Sequence, residues 1–246
     1  MRSLFVACVI ILVISVGSFA QQNSKLWTDW SKKDIEKTLN DSAWGQTQSE
    51  GGQSQPTSTS AISTTTAGRR EDSNMTAASR VESGEAKASP TIKYHVRFLS
   101  AKPVREAFAR MVLMSQPEPN PNLQGQLQEF VNRDFGDYIV VSVSIEAGDQ
   151  KIAQPLMRAF TAATTDELKK NVYLERKDGK RLFLMEYRAP SADGMGAKFV
   201  FRRLVDGQPF LSQSDQVHFI AQLSEKTKLN TRYKLAEMVY EGKLEY

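Results

Sequence analysis

Val172-Tyr173-Leu174-Glu175-Arg176-Lys177-Asp178-Gly179-Lys180-Arg181-Leu182-Phe183-Leu184-Met185-Glu186-Tyr187 reads as two β-strands, 172–175 and 181–187, about a tight turn. Lys177-Asp178-Gly179-Lys180 is the turn, where Asp-Gly supplies positive-φ positions, and β-branched, aromatic and leucine side chains fill both arms. The same style continues downstream: 198–204, a second Asp206-Gly207 turn, 217–223 and 229–235. Upstream, Ile92, Tyr94, Val96 and Phe98 alternate with Lys93, His95 and Arg97, the period of a half-buried strand. Pro103 opens a helix through Phe108, Met111 and Val112; Leu123, Leu127, Phe130 and Val131 mark a second, and 152–163 a third. Between them, 138–145 reads as a central strand. The expectation is an α+β domain over 91–246, mostly antiparallel sheet, with about three helices in its first half.

Two segments precede that domain. Residues 46–90 are dominated by Ser, Thr, Gln, Gly and Ala. A stretch so poor in large apolar side chains buries too little surface to offset its ordering entropy, so a disordered linker is expected. Residues 21–45 hold Trp27, Trp30 and Trp44, which are all three of the chain's tryptophans. Ser31 and Asp34 fit a capping box, and Ile35 and Leu39 follow at i, i+4, so a short amphipathic helix is expected over 32–42. Such a helix is marginal alone in water. Tryptophans concentrated on it imply docking, either on the chain's own domain or on a separate partner. Trp27, Trp30, Ile35, Leu39 and Trp44 are therefore the candidate binding residues.

At the N-terminus, Arg2, the apolar run Leu4 to Ile14 and Ser18-Phe19-Ala20 before Gln21 have the three parts of a secretory signal peptide over 1–20. The apolar run falls short of the roughly 20 residues a spanning helix needs, so cleavage rather than anchoring is expected, with no stable transmembrane segment afterwards. Cleavage removes Cys8, the chain's one cysteine, and with it any disulfide, thiolate nucleophile or cysteine metal ligand. The net charge of +4 arises from Lys and Arg interleaved with Asp and Glu, which reads as a solvated surface rather than the basic stripe of a nucleic-acid binder.

Catalytic patterns are missing from the sequence. There is no Gly-x-Ser-x-Gly elbow, phosphate loop, dinucleotide fingerprint or His-Glu-x-x-His pair. His95 and His218 fall on the polar side of strands and read as surface residues. Asp149, Asp166, Glu167, Glu175, Asp178 and Glu186 are the carboxylates from which a glycosidase pair would be drawn. No cofactor and no metal site is expected.

Trp27-Thr28-Asp29-Trp30-Ser31-Lys32-Lys33-Asp34, Leu39-Asn40-Asp41-Ser42-Ala43-Trp44, 173–184 and Gly242-Lys243-Leu244-Glu245-Tyr246 resemble exported acidobacterial proteins labelled GWxTD domain-containing. The Gly-Trp-x-Thr-Asp string itself is replaced by Trp27-Thr28-Asp29. The resemblance implies a periplasmic or extracellular bacterial protein and carries no reaction, ligand or catalytic residue. The leading expectation is a non-enzymatic binding module of the cell envelope, docking through its Trp-bearing helix on an envelope protein or polymer or on its own domain. The alternatives are a hydrolase acting on an envelope polymer through a carboxylate pair, and a structural envelope component.

Overall fold

The computed structural model describes residues 25–50, 91–116, 120–224 and 227–246. A 3-10 turn at Trp27–Asp29 leads into α1 (Lys32–Asn40) and β1 (Gly45–Glu50). Then come β2 (Ile92–Phe98), α2 (Lys102–Ser115), α3 (Pro121–Asn132), β3 (Tyr138–Ala147), α4 (Gln150–Ala162) and α5 (Thr165–Leu168). The second half holds β4 (Val172–Arg176), β5 (Arg181–Phe183), β6 (Glu186–Arg188), β7 (Ala197–Arg202), β8 (Leu204–Val205) and β9 (Gln208–Pro209). It closes with β10 (Gln216–Gln222), β11 (Lys228–Lys234), β12 (Val239–Tyr240) and β13 (Lys243–Leu244). The fold is α+β, and the named strands pair antiparallel.

Two sheets stack face to face. Sheet A runs β1-β2-β3-β7-β6 and sheet B runs β11-β10-β4-β5. Tyr94, Val96 and Phe98 lie opposite Ile145, Val143 and Val141 in the register, which puts all six on the face of sheet A turned to sheet B. Phe98 meets Tyr233 edge-on at 4.8 Å, Phe199 and Phe201 meet Phe219 at 5.4 and 6.4 Å, and the Tyr233 hydroxyl donates to Val96 O. β11 alternates buried Leu229, Thr231 and Tyr233 with exposed Lys228, Asn230, Arg232 and Lys234, so the outer face of sheet B meets water. On the outer face of sheet A lies α1, with α2 packed on α1, where its Phe108 meets Arg97 of β2, and α3 packed on α2.

Three sequence expectations change. Residues 46–50, assigned to the linker, form most of β1 at the edge of sheet A; the remaining 51–90 lie outside the described residues, as does the stretch 1–20 expected to be a signal peptide. Polar composition hid this strand because its side chains do a main-chain job. The Gln48 amide donates to Lys228 O at 2.8 Å and accepts from Asn230 N at 2.8 Å, while Gln46 donates to Arg232 O, so two glutamines stitch β1 to the edge of sheet B.

The run 181–187, expected as one strand, is two. Leu184 N bonds Val172 O in sheet B, and Met185 N bonds Val200 O in sheet A, so the chain crosses between sheets there. Buried positions step from Leu182 and Leu184 to Tyr187, a phase slip that alternation alone does not flag. The helix expected over 32–42 stops at Asn40, where Asp41 already bridges to Gln46. Its capping box is present, with Asp34 N on Ser31 Oγ at 3.2 Å and Ser31 N on Asp34 Oδ2 at 2.9 Å.

The segment read as standing apart from the 91–246 domain is built into it. Trp30, Ile35, Leu39 and Trp44 share one core with the strands, and Glu50 pairs directly with Ile92. Cutting the chain between residues 51 and 90 is therefore expected to leave 25–50 bound to 91–246. A single gel-filtration peak containing both fragments, splitting only in denaturant, is the outcome to look for; fragments that separate in native buffer would contradict it.

Candidate functional site

The five residues singled out from sequence are brought together, and all are core. Trp27, Trp30, Ile35, Leu39 and Trp44 are each less than a tenth exposed, so their side chains meet the chain's own elements. Trp44 stands edge-on to Tyr240 at 6.0 Å, and its indole N–H donates to Glu245 O at 2.8 Å. Arg110 on α2 donates to Trp30 O at 3.0 Å. Burial of such rings contributes on the order of 2–3 kcal/mol each and holds a helix too short to persist alone.

The charges are not all solvated. Arg97, on the helix-covered face of β2, is 6% exposed and has no carboxylate among its hydrogen-bond partners. Its Nε donates to Leu39 O, Nη2 to Asn40 Oδ1 and Nη1 to Ser144 Oγ, each at 2.8 Å. The first two acceptors are the C-terminal end of α1, where orphan carbonyls carry the negative end of the helix dipole. Burial lowers the guanidinium to about 10, which still leaves it charged at neutral pH. Leu39 O is so closely approached that a Cβ on Gly45 would stand 2.3 Å from it, which is why β1 begins with glycine.

His95 is also buried, not a surface residue, because Thr47 and Glu146 close on it from the strands either side and Thr47 in turn bonds the end of α1. Its Nδ1 meets Thr47 Oγ1 at 2.9 Å and its Nε2 meets Glu146 Oε2 at 3.1 Å, linking β1, β2 and β3. His218 is half-exposed and bonds Asn230 at 3.0 Å.

The carboxylates considered for hydrolysis serve local structure. Asp149 and Glu167 cap α4 and α5, Asp166 pairs with Lys169, Glu175 with Arg181, Asp178 with Arg176 and Glu186 with Arg188. The buried one is Glu106, which the sequence reading missed. Burial raises its pKa even though the Tyr240 hydroxyl donates to it and Lys102 stands 3.8 Å away. No periodic signal marks Glu106, because α2 is buried all round from Pro103 to Ala109. Among the described residues no group of three or more His, Cys, Asp or Glu side chains is placed to hold a metal ion.

A groove of about 560 Å³ remains where sheet A is left uncovered. Val140 and Val200, which face each other across β3 and β7, lie with Leu99 at the bottom of the groove, each less than a tenth exposed. The end of α3 and the following turn make one wall through Phe130, Arg133 and Phe135; the 189–196 loop makes the other through Met195 and Asp193. Gly196 fixes that loop, since at φ +83° a Cβ there would meet Val143 O at 2.2 Å. Partial burial pushes Asp193 up, yet Lys198 at 2.6 Å and the Met195 N–H hold it below the usual carboxylate range. Tyr138 is 43% exposed at the rim, and Arg188, level with Lys198 and Ser142 in the register, belongs to the lining further along the sheet. The groove thus pairs an apolar floor with charged margins and contains neither histidine nor cysteine. The sequence signals for it were faint: a Gly194-Met195-Gly196 loop and an exposed Tyr138.

No family model matches this sequence, and no curated protein matches it. Among solved structures, a protein of unknown function from Burkholderia pseudomallei aligns with a TM-score of 0.40 and 10% identity, over 56% of this chain and 72% of that one. That likeness is too slight to bear on fold or function.

Because burial holds His95 below its ordinary pKa, its neutral form is favoured by folding. The stability it confers is complete above about pH 6.5 and is lost as pH falls through the lower folded value. Lys93 and Arg97 oppose its protonation and Glu146 favours it. Denaturant titrations between pH 7 and 5 are expected to show stability falling with acid, and less steeply in His95→Gln. Identical acid limbs in the two proteins would remove His95 as the cause.

Proposed function

We propose that this is an exported, non-catalytic binding module of the bacterial envelope, seating the apolar part of a ligand in the groove over β3 and β7. The observation that supports this reading most is the groove itself, with Val140 and Val200 at its bottom and partly exposed Phe130, Phe135 and Met195 beside Arg133 and Asp193 on its walls. An apolar, partly enclosed concavity with a few convergent polar groups is the usual form of a ligand site. The carboxylates considered for hydrolysis are held in caps and ion pairs, which favours binding over the hydrolase reading. The tripartite segment 1–20 and the likeness to GWxTD-labelled exported proteins support the compartment. The Trp-bearing segment takes part by completing sheet A through β1 and covering it with α1, so a partner would reach its tryptophans only if that segment undocked.

Two measurements test the reading. Protein isolated from the native host is expected to begin at Gln21; a chain still starting at Met1 and extracted only by detergent would overturn export. For the groove, 1-anilinonaphthalene-8-sulfonate serves as a probe with an apolar ring and one anion. It is expected to bind one site, with affinity reduced roughly tenfold in Tyr138→Ala and in Met195→Glu, the scale of one lost apolar or charge contact. Unchanged binding in both variants would rule the groove out.

A further inference from the structure

The outer face of sheet B, on the opposite side of the sandwich from the groove, carries an ordered set of side chains that no part of the fold uses. The strand registers arrange them in rows across the sheet. One row runs Arg181, Glu175, His218, Arg232; the next runs Phe183, Tyr173, Ile220, Asn230. Neighbouring same-face rows lie about 7 Å apart, and four strands span about 14–15 Å. Phe183 is 49% exposed and stands 5.6 Å from Tyr173, whose ring is covered by the Arg181 guanidinium at 4.5 Å.

Charge on this face is one-sided. Glu175 is held by Arg181, and Lys234 by Glu237. Among the described residues Lys177, Lys180, Lys228 and Arg232 have no carboxylate within ion-pair distance, and all four are exposed. Between the cations sit neutral donors and acceptors: Gln216, which accepts from Arg232, and the His218 and Asn230 pair at 3.0 Å.

We infer that the outer face of sheet B binds an extended acidic polysaccharide, a polymer of uronic-acid type, with sugar rings on the Phe183 row and carboxylates on the Arg232 row. A pyranose offers apolar C–H groups to the exposed face of an aromatic ring, hydroxyls to amides and imidazole, and a carboxylate to a guanidinium one row away. A single-stranded nucleic acid fits less well, because successive bases stack on successive open aromatic faces, and with Arg181 over Tyr173 the row offers Phe183 alone, enough for one sugar ring. An acidic peptide has charges but no use for the apolar row. The attraction is electrostatic in part and so weakens with salt.

The test uses the full mature chain and polygalacturonate, with dextran as neutral polymer, oligothymidylate as nucleic acid and polyglutamate as acidic peptide, followed by affinity electrophoresis and calorimetry. Polygalacturonate is expected to bind, more weakly as salt rises, and dextran not to bind. Arg232→Gln with Lys228→Gln, and separately Phe183→Ser, are each expected to weaken binding roughly tenfold or more, the loss of a charge-assisted hydrogen bond or its equivalent. Their melting temperatures should match the parent's, since all three side chains are exposed. Tyr138→Ala, in the groove on the other side, should bind polygalacturonate normally, which separates failure of this surface from failure of the groove. No binding to polygalacturonate, equal binding to dextran, equal or tighter binding to oligothymidylate or polyglutamate, or full affinity in the Arg232/Lys228 and Phe183 variants would each overturn the proposal.

Discussion

Arg97 holds the N-terminal segment to the sheet through carbonyl and side-chain oxygens at the end of α1, without a counter-ion among its partners. An isolated buried cation is costly, and here the cost is met by two acceptors from a helix C-terminus and by Ser144 on β3. The arrangement works only if α1 ends where it does and if β1 starts without a Cβ, so Arg97, Leu39, Asn40 and Gly45 constrain one another. Arg105 repeats the device one helix later. It is 5% exposed, its Nε donates to Val131 O at the end of α3, and its guanidinium lies 5.0 Å from the Phe135 ring centre. Two buried arginines thus fix the helix layer over one half of sheet A and leave the other half open.

The sandwich is closed along both margins by different means. At one, the chain passes from β5 to β6 and so from sheet to sheet through Leu184 and Met185. At the other, Gln46 and Gln48 supply side-chain amides where a neighbouring strand would supply peptide groups. A long unpaired edge invites pairing with another chain, and these amides occupy the edge of β11. What remains available to ligands is therefore the two outer faces, one partly roofed by helices and one flat.

Much of this was legible along the chain. The Asp178-Gly179 hairpin, the alternation of β2 and β11 and the capping box of α1 are local patterns, and each appears where its residues imply. Less legible was whatever depended on a neighbour distant in sequence. Gln46 and Gln48 look like linker residues until β11 lies beside them, and Arg97, His95 and Glu106 look solvated until α1, the flanking strands and Tyr240 close over them in turn. The tryptophans announced that their segment docks, yet only the structure shows them completing the same core. For the groove the sequence held no strong pattern, because its floor is two ordinary strand valines and its existence depends on where the helices stop.

Trp44 and its acceptor Glu245 are separated by 201 residues. In any chain made from its N-terminus, Trp44 emerges early while Tyr240 and Glu245, which seal it, arrive last. Until then it is exposed apolar surface on a nascent chain, the kind of surface that chaperones recognise and that aggregates if left unguarded. The same delay keeps the chain from locking into its final shape prematurely. Contacts of such high sequence separation also make the final closure slow, which lengthens the interval during which an unfinished chain can still be threaded.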